Sequence, residues 1–141
     1  MTRIDVAQRR LQQASDLAEV LDAAYEAFEA MLSVIHGVQD PASGWFAAYV
    51  MAAASAANGR NAVALAPSLP RRPIPAVPGQ QGSWPGERPE RVAELVAGLS
   101  QLVAGRLASV AVGAPDIGDQ AACGHAARSA RDICGLVSSR P

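Results

Sequence analysis

The feature that most constrains this chain is an apolar residue at every third or fourth place from Ile4 to Ile35. Ile4, Ala7, Leu11, Ala14, Ala18, Leu21, Tyr25, Phe28, Leu32 and Ile35 follow one another without a skip. That spacing gathers side chains on one face of an α-helix and scatters them over both faces of a strand. Leu17, Val20, Ala24 and Met31 widen the stripe, which suits a helix packed in a bundle better than a narrow two-stranded seam. Ser15 and Asp16, with Glu19 three places beyond Asp16, form a capping-box-like signal that could restart the helix. The unbroken spacing favours one continuous helix over residues 3–36, about 48 Å long at a rise of about 1.5 Å per residue. A kink near Ser15 is the alternative.

Local punctuation divides the rest of the chain. His36-Gly37 reads as a helix end, and Asp40-Pro41 as the cap and first turn of a second helix over residues 41–57, stopped by Asn58-Gly59. So short a connection predicts an antiparallel hairpin, with residues whose numbers sum to about 77 side by side. Phe28 is then expected beside Tyr49, Met31 and Leu32 beside Trp45, and Tyr25 beside Met51. Seven prolines between Arg60 and Pro89 exclude regular helix and central strand from residues 60–88. Leu65, Leu69, Ile74, Val77 and Trp84 make that stretch too apolar for a solvated linker, and it reads as a strap across the helices. A rigid strap is also preferred to a polyproline ligand, the other reading of the run Leu69 to Pro75. Pro89 opens a third helix (89–112), Gly113-Ala114-Pro115 breaks it, and Asp116 caps a fourth (116–138). The expected fold is all-α: one domain over residues 1–141, a four-helix bundle of two antiparallel hairpins joined by a long proline-rich strap.

Composition bears on function mainly by exclusion. The chain has 141 residues, enough for a single core, and half are hydrophobic. Much of that half is alanine, which favours helix and close approach but fills a core poorly. Every fixed positive charge is an arginine, and the net charge is −1. Neither nucleic acid nor an anionic membrane is an expected partner. The charged start lacks the apolar segment of a signal peptide, and the longest apolar run, residues 45–57, is short of the roughly 20 residues that cross a bilayer. A cytoplasmic protein is expected.

Tests for reaction chemistry fail on missing groups. Glu19, Asp22, Glu26 and Glu29 form an acidic face, but a di-metal bundle needs donors from facing helices and Glu-x-x-His pairs, and residues 41–57 contain neither acid nor histidine. A solvated face balanced by Arg128 and Arg131 is the simpler reading. His125 cannot share a zinc ion with Cys123, since two helical steps turn them about 200° apart. His36 at a turn is more simply a helix-end cap than a ligand. Cys123 and Cys134, about 16 Å apart along one helix, cannot pair and read as buried thiols. No catalytic residue, metal or cofactor is expected.

Two surfaces remain. Five of the six aromatic residues lie between Tyr25 and Tyr49. Tyr25, Phe28, His36, Trp45, Phe46, Tyr49 and the distant Trp84 form the candidate ligand or partner surface. Adjacent Trp45 and Phe46 should point apart. Ile4, Ala7 and Leu11 extend a stripe beyond the reach of the shorter second and third helices, which leads to an expected homodimer through the first helix. The functional expectation is a non-enzymatic helical interaction module that self-associates. The alternative is a small-molecule binder or enzyme with a pocket between the aromatic hairpin and the strap.

Overall fold

The computed structural model describes residues 3–70 and 88–138. These form five helices and no strand: α1 (Arg3–Gln13), α2 (Leu17–Val38), α3 (Phe46–Ala64), α4 (Pro89–Gly113) and α5 (Ile117–Ser138). The all-α class is as expected, but the helices number five, not four. α2 packs on α3 and α4, and both of these pack on α5, so the four close a ring; α1 lies against α2 and α4.

The fifth helix arises because the long first helix is broken. Chain direction changes at Ala14-Ser15-Asp16. There Asp16 Oδ1 accepts from the Glu19 amide at 2.8 Å, and Glu19 Oε1 accepts from the Asp16 amide at 3.4 Å and the Ser15 hydroxyl at 2.7 Å. The reciprocal box satisfies donors that a helix start would otherwise leave unpaired. Arg106, from the middle of α4, donates through Nη2 to the Ala14 carbonyl, at the end of α1. Arg10 then pairs with Asp22 at 2.8 Å and Glu26 at 3.7 Å, clasping α1 to α2. Spacing alone could not reveal the break, because both pieces bury their stripe against the same core.

The expected self-association stripe is therefore corrected. Ile4 and Leu11 have no solvent exposure and Ala7 has 3%. The chain's own α2 and α4 cover α1, so no stripe is left over for a partner.

α3 starts five residues later than expected and runs seven beyond the expected end. Pro41 lies in the turns of residues 39–45, where Asp40 Oδ1 accepts from the Ala42 amide at 3.0 Å. Asn58-Gly59 does not stop the helix because Gly59 is needed for packing: a Cβ there would overlap the Phe28 ring. Glu29 of α2 pairs with Arg60 of α3 at 3.4 Å. Phe28 thus meets Gly59 instead of Tyr49, about ten places along α3, and the expected register is corrected. Met51, expected beside Tyr25, is 57% exposed. The acidic face of α2 is balanced by Arg10 and Arg60, not by Arg128 and Arg131.

α4 and α5 match expectation to within a residue at their ends. Asp116 caps α5, its Oδ1 accepting from the Gly118 amide at 2.7 Å and the Asp119 amide at 3.3 Å. Among the described residues, α4 alone is long and apolar enough to cross a bilayer by length and composition. The expectation that no segment approaches such a length is corrected to that extent. Here α4 packs on three other helices, with Arg106 at its centre bonded to α1. Most of the strap and Trp84 lie outside the described residues. Of its described start, Leu65 is 81% exposed, whereas Ala66 is buried and Leu69 rests on the core.

Candidate functional site

The aromatic residues do not form one surface. Phe28 is fully buried between α2 and α3, a packing residue with no access to a ligand. Tyr25 is half-buried beside Glu29 and Arg60, and burial followed by the Glu29 charge pushes its hydroxyl pKa up. His36 is exposed in the last turn of α2. The helix runs past it to Val38 and ends on Gln39, so His36 is not the terminal cap.

Trp45 and Tyr49 make a separate pair at the start of α3, their rings stacked with centroids 5.7 Å apart and planes at 27°. As expected, Trp45 and Phe46 diverge: Trp45 is buried and Phe46 only half-buried. The Tyr49 hydroxyl donates to the Pro89 carbonyl, tying the start of α3 to the start of α4. Burial, reinforced by the Glu90 charge, raises its pKa far above that of a free tyrosine. It is a structural hydroxyl, not a proton donor at neutral pH. Trp45, Glu90, Glu94 and Val137 border a cleft of about 590 Å³ at this end.

A second depression, of about 440 Å³, runs between the C-terminal half of α3 and α5, with Asn58 and Leu65 on one bank and His125 and Arg128 on the other. Its end is built by a contact that the sequence does not suggest. Asp119 is 1% exposed, and its two carboxylate oxygens accept from the Ser68 amide at 2.9 Å and the Ser68 hydroxyl at 2.6 Å. Pro67 rests against Gly118, where a Cβ would come within 3.0 Å of the proline ring. The two partners are 51 positions apart, and a lone Ser-Leu-Pro offers no signal for such a clasp.

The outer face of α3 is the third surface. Ala47, Val50, Met51 and Ala54 follow helical spacing and are all exposed, with Val50 at 43%. No charged residue occurs on α3 before Arg60. α3 therefore presents apolar side chains to solvent as well as to the core.

Among the described residues no group of three or more His, Cys, Asp or Glu side chains could hold a metal. Cys123 is buried, and desolvation, then the nearby Asp119 charge, raises its thiol pKa, which leaves little nucleophilic thiolate. Cys134 is half-buried near Ser138. No family model, curated protein or solved structure matches this chain.

Proposed function

We propose that this protein is a non-enzymatic helical interaction module that self-associates through the outer face of α3. The observation that carries this is the exposed, charge-free stripe of Ala47, Val50, Met51 and Ala54. An apolar stripe on the outer face of a helix that already buries its inner face calls for cover of its own. α2 and α5 cover one side of α3. A two-fold axis sets each residue against its own counterpart, so a charged face would repel itself and an uncharged one does not. The small side chains of Ala47 and Ala54 let a second helix approach closely, with Val50 and Met51 as the bulk between them.

Light scattering with Met51→Arg and Val50→Glu tests the reading. The unmodified protein is expected to show a dimer mass at tens of micromolar, about the range where a modest interface of this kind associates. Either substitution is expected to give a monomer with its helical signal intact, since both side chains already face solvent. A monomer mass for the unmodified chain overturns the proposal.

The cleft beside Trp45 favours a second reading, a small-molecule binder. Its aromatic wall and the Glu90 and Glu94 carboxylates suit an organic cation. Quenching of Trp45 fluorescence by a quaternary amine, lost in Glu90→Gln, would support this reading over the first.

A further inference from the structure

The depression between α3 and α5 has the polarity of a ligand site, with an apolar end and a doubly charged end. The apolar end is floored by Ala62, Ala121 and Ala122, whose short side chains leave the trough open. Leu65 stands over it, 81% exposed, where a leucine gains nothing from the chain's own packing. This end is closed by Pro67 against Gly118, and the Ser68–Asp119 clasp holds that wall in place. The wall is rigid because both carboxylate oxygens of a buried acid are committed to it. A volume of about 440 Å³ is that of a small-molecule pocket.

At the other end stand Arg128 and Asp132, opposite charges one helical turn apart on α5. Both are exposed, and among the described residues neither forms an ion pair, with the other or with any third group. An i,i+4 pair in this position is worth only a few tenths of a kilocalorie, so a ligand competes with it easily. His125 and the side-chain amides of Asn58 and Asn61 add hydrogen-bonding groups between the two ends.

We propose that this groove binds a small zwitterion with an apolar tail, of which a free aliphatic amino acid is the simplest form. Its carboxylate sits on Arg128, its ammonium on Asp132, and its tail points along the groove toward the alanines and Leu65. A simple anion would meet the Asp132 charge, and a simple cation would meet Arg128. A zwitterion satisfies both. On α3 the groove's bank, Asn58, Asn61 and Leu65, continues the helical face of Ala47, Val50, Met51 and Ala54, so titrating Met51→Arg alongside the parent keeps the failure of this proposal distinct from that of self-association.

Amide NMR of the full chain, titrated with L-leucine, tests the proposal. Saturable shifts are expected at Asn58, Asn61 and His125, with a dissociation constant at or below about 1 mM. Leucinamide, which lacks the carboxylate, and 4-methylpentanoate, which lacks the amine, should each bind roughly tenfold more weakly. Arg128→Gln and Asp132→Asn should weaken leucine to a similar degree. Both side chains are exposed, so the helical signal stays as a control on folding. Glycine should bind more weakly still, having no tail. Absence of saturation by about 10 mM leucine overturns the proposal. So does 4-methylpentanoate binding as tightly as leucine with no effect of Asp132→Asn, which would make the groove an anion site. Equal binding of glycine and leucine overturns the role given to Leu65 and the alanine floor.

Discussion

Gly59 and Phe28 show how one missing side chain sets the spacing of two helices. Glycine inside a helix costs about 1 kcal/mol relative to alanine, so its presence midway along α3 needs a reason. The reason is the Phe28 ring, which occupies the space of the absent Cβ and has no exposure of its own. Gly59→Ala recovers the helix propensity but forces an overlap, and overpacking a close-packed site costs about 1–3 kcal/mol. Phe28 is fully enclosed, so packing outweighs propensity, and a net loss of about 1–2 kcal/mol is expected. Gly105 and Gly124 are the contrast: a Cβ there meets nothing within 4 Å. Alanine at either position should raise stability by up to about 1 kcal/mol. Urea midpoints of the three variants, compared at a common m-value, check both signs together. A Gly59→Ala protein as stable as Gly105→Ala would mean that the α2–α3 contact is not the tight one described.

At the scale of elements, the elbow between α1 and α2 is held by a charge that acid removes. The Ser15 hydroxyl, then the Ser15 and Asp16 amides, hold the Glu19 carboxyl below its usual value of 4.5. A carboxylate with a lowered folded-state pKa stabilises the fold above its unfolded value, and loses that contribution as pH falls through the lowered one. The elbow is therefore expected to weaken below about pH 4.5 and to be indifferent to pH above about 6. Glu19→Gln keeps an acceptor in the box but removes the titrating charge. Thermal melts between about pH 3 and 7 should show a shallower acid slope for Glu19→Gln than for the parent. Equal slopes would show that the cap is not charge-assisted. The capping box of this elbow was legible in Ser15, Asp16 and Glu19, but not the Arg106 and Arg10 contacts that hold it, and the unbroken apolar spacing hid the break, since periodicity reports burial and not continuity. The same limit hid the true end of α3: Asn58-Gly59 has the composition of a stop, and only the ring of Phe28, far off in sequence, gives the glycine another purpose. α4 and α5 were legible almost to the residue because Pro89, Pro115 and Asp116 act locally. Of the candidate sites, the divergence of Trp45 and Phe46 could be read from adjacency on a helix. The Ser68–Asp119 wall could not, because no local rule pairs a loop serine with an acid 51 positions away.

In the whole molecule, α1 decides whether the chain is closed on itself. Read as one rod with α2, it would carry its stripe past the reach of the other helices and require a second subunit. Folded back at Ala14, it completes the core, and Leu11 becomes one of the largest fully buried side chains. Its truncation then removes packing inside one chain. Leu11→Ala is expected to lower stability by about 2–5 kcal/mol, the range for cavity-forming changes in a core. It should leave the mass in light scattering equal to that of the parent protein, because α1 offers no exposed stripe to a partner. Met51→Arg should behave in the opposite way, changing the mass while the isolated fold keeps its helical content. The pair of variants separates core from interface in a way that neither does alone. If Leu11→Ala instead altered the mass and left the urea midpoint at high dilution unchanged, α1 would have to be swung out onto a second copy, and the elbow at Ser15 would be a hinge rather than a corner.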